Sequence, residues 1–318
     1  MAVALTASIA LLFTVGKAAM NKPENSAVAT SAMPTVATST TPTVATSTTP
    51  SILLEPCKCG CPAISPNFTR IVNGENAVPN SYPWQLLLAI FNGTGTPLSY
   101  CGASLISSQH VLTAAHCVFG KSPRYVFVFP GLHNFTNTVL NVNAGFQARI
   151  IYVHESYDDV TLNDDIALIR LVNPVEVNDR TISLACMIGP NDTPLQEDDE
   201  VVATGWGALS GSANRTRPLS LQQVKLRYVP QTNSLCSLLV GTRPGQMCAG
   251  FPPKGVCFGD SGGPLVRNIV HSNGQSFWQI VGVMSGTVDC GLATFFPDIF
   301  VNVRYYSEWI QDKIRQSS

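Results

Sequence analysis

Three short stretches of the 318-residue chain carry side chains suited to nucleophilic and acid–base chemistry. GVCFGDSGGPL, residues 255–265, sets Ser261 among glycines and directly after an acid, Asp260. A serine hydroxyl attacks a carbonyl only when a base takes its proton, a partner fixes that base, and N–H donors meet the developing oxyanion. Of the five histidines, His116 stands out in LTAAHC, a small-residue turn closed by Cys117 at the end of an apolar strand. LNDDIALIRL offers Asp164 and Asp165 at the head of another apolar strand, where a buried acid needs a hydrogen-bonding partner such as an imidazole. Taken singly, each stretch also suits a structural role: a serine in a tight turn, a buried histidine, acids capping a strand.

The elements around these residues read as β-strands. WQLLLAIF, YVFVF, ARIIYVH, DIALIRLV, EVVATGW, QQVKLRYVP and FWQIVGVMS have strand length and side-chain type, with Gly, Pro, Asn and Ser between them. No strand–helix alternation is visible, which indicates an all-β barrel or sandwich. Only the tail, YYSEWIQDKIRQSS, sets Tyr305, Trp309, Ile310 and Ile314 at helical spacing, predicting a short amphipathic C-terminal helix.

Formal net charge is −1 with 12% charged residues, which argues against a nucleic-acid-binding stripe. MAVALTASIALLFTVGKAA is apolar, ends in small residues and predicts a secretory signal over 1–19; an uncleaved anchor or an apolar leader is the alternative. Ten cysteines and five Asn-x-Ser/Thr sequons, at Asn67, Asn92, Asn134, Asn191 and Asn214, fit a secreted, extracellular, disulfide-bonded glycoprotein. Residues 20–56 are rich in Thr, Ser, Ala and Pro and contain PTVATSTT twice, the composition of a disordered stalk, with or without O-linked sugars. CKCGCP follows, at the end of a stretch running to residue 70. With no histidine or second CxxC pair beside it, disulfide use is a better reading than a metal knuckle.

IVNG, LTAAHC, DDIAL, GWG and GDSGGPL occur in the order and spacing of chymotrypsin-fold serine proteases, and the chain resembles that family from residue 71 to about 313. The resemblance implies two packed six-stranded antiparallel β-barrels, with His116 as general base, Asp165 orienting it and Ser261 as nucleophile. It implies an oxyanion hole from the N–H groups of Gly259 and Ser261, where glycine allows the backbone to present its N–H. It also implies a zymogen: cleavage between Arg70 and Ile71 frees an α-amino group that pairs with Asp260, so the catalytic domain is 71–318. Implied disulfides are Cys101–Cys117, Cys236–Cys248 and Cys257–Cys290. Cys186 matches the position that ties the domain to its propeptide, through one of Cys57, Cys59 or Cys61. A further bridge of many relatives is missing at both halves, Val201 and Arg267. The calcium loop of some relatives is interrupted by Leu132, so no metal or cofactor is expected.

The pocket residues depart from the trypsin pattern. Gly255 stands where a basic side chain would meet an aspartate, Val256 supplies an apolar wall, and Phe258 lies near the rim. Ser285-Gly286-Thr287 replaces Ser-Trp-Gly, removing an apolar platform and narrowing the pocket. Asp298 takes a position usually held by glycine, a combination resembling neutrophil elastase. The resemblance implies cleavage of proteins or peptides after small or medium aliphatic P1 residues. A basic P1 chosen by an accessible Asp298, or an inactive homologue that binds proteins, are the alternatives. Expected partners are a trypsin-like activating protease and protein protease inhibitors.

Overall fold

The computed structural model describes residues 57–68, 74–135, 140–209, 216–250, 255–271, 274–288, 290 and 296–317. The chain divides into two units, Met1–Leu54 and Glu55–Ser318, and every described residue lies in the second. The expected leader and stalk therefore lie outside the described residues, as do Arg70, Ile71 and Asn214.

A two-residue strand β1 (Glu75–Asn76) precedes β2 (Gln85–Phe91), β3 (Pro97–Leu105), β4 (His110–Thr113), β5 (Val126–Pro130), β6 (Phe146–Val153) and β7 (Ala167–Leu171). Strands β2 to β7 close into an antiparallel barrel in the order β2-β3-β4-β7-β6-β5. Strand β2, QLLLAIF, is buried at all seven positions, which explains an unbroken apolar run where a half-exposed strand would alternate. Leu86, Leu88, Leu112, Leu168 and Ile169 have no exposed surface.

After the short β8 (Cys186–Met187) come β9 (Glu200–Gly205), β10 (Gln222–Val229), β11 (Gln246–Gly250), β12 (Pro264–Val270), β13 (Ser276–Gly286) and β14 (Asp298–Asn302). The pairings β9–β10, β10–β11, β11–β14, β14–β13, β13–β12 and β12–β9 are all antiparallel and form a closed ring. Strand β1 adds to β10, and β8 lies parallel to β13. The fold is thus all-β, two six-stranded antiparallel barrels. Helices are short: α1 (Ala115–Val118), α2 (Ser234–Val240) and the C-terminal α3 (Ser307–Ser317), which buries Ile310.

Two polar contacts join the barrels near their seam. The Gly102 N–H on β3 donates to the Ser261 carbonyl at 2.7 Å, and the Thr204 hydroxyl on β9 donates to Gln85 Oε1 on β2 at 2.7 Å. Where the missing bridge of many relatives would stand, Val201 is fully buried. Arg267 instead forks onto Gln279 Oε1 at 3.0 and 2.9 Å, and Gln279 Nε2 donates to Asp192 at 2.7 Å.

All ten cysteines are paired: Cys57–Cys61, Cys59–Cys186, Cys101–Cys117, Cys236–Cys248 and Cys257–Cys290. The partner of Cys186, left open by the sequence, is Cys59. Backbone bonds reinforce that tie, because Gly60 N–H donates to the Leu184 carbonyl at 2.7 Å and Trp278 N–H donates to the Gly60 carbonyl at 2.6 Å. Gly60 has φ of +72°, and a Cβ there would lie 2.1 Å from the Trp278 oxygen. Gly60→Ala should therefore pry this segment from β13, lower stability by about 1–3 kcal/mol, and speed proteolysis within 57–68. Thermal unfolding and timed digestion measure both effects.

Candidate active site

His116 lies on α1, a single turn leaving β4, and is fixed from both sides. Its neighbour Cys117 is bridged to Cys101 on β3, and the following residue, Gly102, holds the Ser261 carbonyl. The chain thus brings His116 and the Ser261 turn to one seam although they lie far apart in sequence.

Asp165 is 1% exposed and its oxygens are occupied by three donors. Oδ1 accepts the His116 backbone N–H at 2.8 Å; Oδ2 accepts His116 Nδ1–H at 2.7 Å and the Ser285 hydroxyl at 2.6 Å. With Nδ1 as donor to a carboxylate, the neutral imidazole keeps its lone pair on Nε2, the tautomer a general base requires. Asp164 turns the other way. It adopts φ of 52°, and its Oδ1 accepts the Tyr306 hydroxyl at 2.5 Å. The adjacent acids therefore separate into one that holds His116 and one that docks the C-terminal region.

Ser285 takes part in a contact that the sequence did not reveal. Its position in the strand predicts a place in the substrate wall, and its buried hydroxyl donates to Asp165. The signal available was a serine directly before a pocket segment, which does not reveal where the hydroxyl points.

The turn before Ser261 is organised by Asp260. Its Oδ1 accepts Gly207 N–H at 2.7 Å and its Oδ2 accepts Cys257 N–H at 2.9 Å. Burial pushes its carboxyl above the usual range, opposed by those two N–H bonds and by the Arg217 charge. The glycines of GWG leave room for this group: a Cβ on Gly205 would lie 2.1 Å from Oδ1, and one on Gly207 would lie 2.4 Å from the carboxyl carbon. Between them Trp206 is buried and donates Nε1–H to the His133 carbonyl at 3.0 Å. A cavity of about 60 Å³ runs beside Asp260 and is lined also by Gly74, Gly205, Gly207, Gln223 and Val256. Gly74, three residues past Ile71 in the sequence, is part of that lining. The segment before it is docked too, by Gln223 Nε2 donating to the Asn67 carbonyl at 2.7 Å and by Lys225 Nζ 4.3 Å from the Phe68 ring centre.

Gly259 adopts φ of +108°, a conformation that disfavours any side chain. In this turn Gly262 N–H donates to the Met284 carbonyl and Gly263 N–H to the Asp260 carbonyl. The N–H groups of Gly259 and Ser261 take no backbone acceptor among the described residues. Both N–H groups belong to the turn that carries Ser261.

In the expected pocket, Asp298 on β14 is 5% exposed and its Oδ2 accepts Val256 N–H at 2.9 Å. Burial raises its pKa to about 7; hydrogen bonds from Thr287 and Val256 oppose the rise and the Asp260 charge adds to it. Gly255 faces the same carboxylate, Val256 is buried, and Phe258 is exposed. A Cβ on Gly286 would meet nothing within 4 Å, so the space beside it is open.

Sulfur and imidazole atoms of Cys101, Cys117 and His116 cluster closely, but both sulfurs belong to a disulfide and offer no thiolate to a metal. Among the sequons, Asn67, Asn134 and Asn191 are exposed. Asn92 is partly buried and accepts the N–H groups of Thr94 and Thr96.

The raised pKa of Asp298 fixes the sign of a stability effect. The folded state keeps a proton that the unfolded chain releases near pH 3.8, so this contribution is complete below about pH 4 and is lost as pH rises to about 7. Asp298→Asn should remove that slope, so the variant loses about 3 kcal/mol less than the parent between pH 4 and pH 8. Denaturant unfolding at the two pH values measures the difference, and Asp260, present in both proteins, cancels.

Comparison with known proteins matches residues 71–310 to the family model described as Trypsin. Chymotrypsin-C of Mus musculus is 37% identical over 268 residues, covering 81% of this chain and 94% of the relative. Chymotrypsin-C of Rattus norvegicus is 38% identical over the same shares. Transmembrane protease serine 11G of Rattus norvegicus is 35% identical over 80% of this chain and 58% of its own length. Among the described residues no helix is long and apolar enough to cross a membrane.

Proposed function

The chain belongs to the trypsin family and is a serine endopeptidase, and we propose that it is a secreted zymogen switched on by cleavage between Arg70 and Ile71. The observation that carries this reading is the buried Asp260 carboxyl beside a cavity that Gly74 also lines. A freed Ile71 α-amino group entering that cavity would supply the cation that a buried carboxylate lacks. Because Asp260 lies between Gly259 and Ser261, the same ion pair would set the turn that presents both oxyanion donors.

In the activated enzyme, His116 Nε2 takes the Ser261 proton as its Oγ attacks the scissile carbonyl. Asp165 holds the imidazole through Nδ1 and stabilises its charged form. The tetrahedral oxyanion is met by the N–H groups of Gly259 and Ser261. Collapse expels the amine, which takes its proton from His116. Water then attacks the acyl-serine by the same route in reverse order of protonation.

Specificity for small or medium aliphatic P1 residues rests on three features. Gly255 supplies no charge at the pocket base, Val256 is buried beside it, and Asp298 points its carboxyl into hydrogen bonds from Val256 and Thr287. Part of the Asp298 population is neutral at pH 7, which lowers its pull on a basic side chain. Secretion rests on the leader and disulfides, and glycosylation on the exposed Asn67, Asn134 and Asn191. The activator would be a different, trypsin-like protease, and protein inhibitors would occupy the same cleft.

Fluorophosphonate should label Ser261 only after cleavage at Arg70, and Ser261→Ala should abolish both label and peptide hydrolysis. Absence of an adduct on the cleaved protein would show a binding protein in place of an enzyme. In a peptide library varied at P1, Ala, Val or Leu should exceed Arg by at least about tenfold in kcat/KM; a preference for Arg would show that Asp298 selects cations.

A further inference from the structure

Arg217 stands apart from the machinery described above yet lies beside it. A Cβ on Gly259 would be 3.5 Å from the guanidinium carbon of Arg217, and that carbon is 5.8 Å from the Tyr100 ring centre. The residue is exposed, and among the described residues no carboxylate lies within ion-pair distance of it. The nearby acid, Asp260, turns its oxygens to the N–H groups of Gly207 and Cys257. A cation is therefore held next to the nucleophile's turn and left available to a bound molecule.

The geometry also says which part of a substrate would meet it. The acyl side of the scissile bond is drawn to the pocket walled by β13 and β14, where Asp298 and Gly286 lie. The leaving amine must depart past His116, which protonates it. His116 adjoins Cys117, Cys117 is bridged to Cys101, and Tyr100 precedes Cys101 on β3. Tyr100, on the first barrel, and Arg217, just before β10 of the second, meet across the seam beside Gly259, on the side from which that amine would leave.

We propose that Arg217, standing over Tyr100 beside Gly259, selects substrates with an aspartate or glutamate within the first two residues after the cleaved bond. This rests on the assignment of Ser261 and His116 made above. A carboxylate there can take a forked guanidinium contact, while lysine in its place meets like charge. Because Arg217 is exposed, the effect is moderate and weakens with salt.

The test uses the cleaved, active enzyme and quenched fluorescent peptides identical on the acyl side. Their first and second leaving-side residues are Ala, Asp or Lys in turn. At low ionic strength kcat/KM for Asp should exceed that for Lys by about tenfold at one of these positions, and by less at high salt. Arg217→Ala should bring the ratio to within about twofold, and Arg217→Glu should invert it. Equal rates for Asp and Lys, or a ratio unchanged in Arg217→Ala, would overturn the proposal. An acyl ester with a small alcohol leaving group separates two kinds of failure. Ester hydrolysis without charge preference among peptides refutes only the role of Arg217. Loss of hydrolysis with both ester and peptides refutes the active-site assignment, and this inference with it.

Discussion

A carboxyl group removed from water is expensive to ionise unless donors or a cation surround it, and Asp260 is where this molecule meets that constraint. Much of the local sequence is an answer to it. Two glycines flank Trp206 because the carboxyl occupies the space their side chains would need. The N–H groups of Gly207 and Cys257 turn inward to meet its oxygens. Those choices hold the turn from Gly255 to Gly263 in place, and that turn carries Ser261 and two N–H groups, of Gly259 and Ser261, that meet no backbone acceptor among the described residues. A neutral, well-packed alternative would cost less, but it could not respond to a charge arriving from elsewhere in the chain.

A second buried acid, Asp165, solves the same problem differently. Three donors saturate it, from the His116 backbone, the His116 ring and Ser285. At Asp298 burial outweighs the hydrogen bonds from Val256 and Thr287, and the pKa rises to about 7.

The strands, the barrel architecture, the C-terminal helix and the pairing of His116 with Asp165 were legible because they depend on local pattern and on motif order. Apolar runs of strand length announce strands, and LTAAHC, DDIAL and GDSGGPL each keep their chemistry within a few letters. What escaped depends on side-chain direction across the seam. The bond from Ser285 to Asp165 was not visible because nothing in the segment of Ser285 says that Asp165 lies behind it. Tyr306 and Asp164 are 142 residues apart, and no periodicity joins them. The choice of Cys59 over Cys57 or Cys61 is likewise invisible in CKCGCP, where the three are evenly spaced. It follows from Gly60, whose left-handed backbone lets the segment bond Leu184 and Trp278 at once. The two halves of the absent bridge, Val201 and Arg267, were visible as a coupled loss, but the network of Arg267 with Gln279 and Asp192 was not.

The Cys59–Cys186 bond also changes what a cut in the chain can accomplish. A break anywhere between Cys61 and Cys186 severs the backbone without separating the pieces, because they stay joined by sulfur. Everything upstream is then held at a local concentration fixed by a tether of a few residues, on the order of millimolar, however dilute the protein becomes. After one such cut the piece that holds Cys59 travels with the barrels as a second chain; a reductant parts the two, and a further cut upstream of Cys57 frees what precedes it.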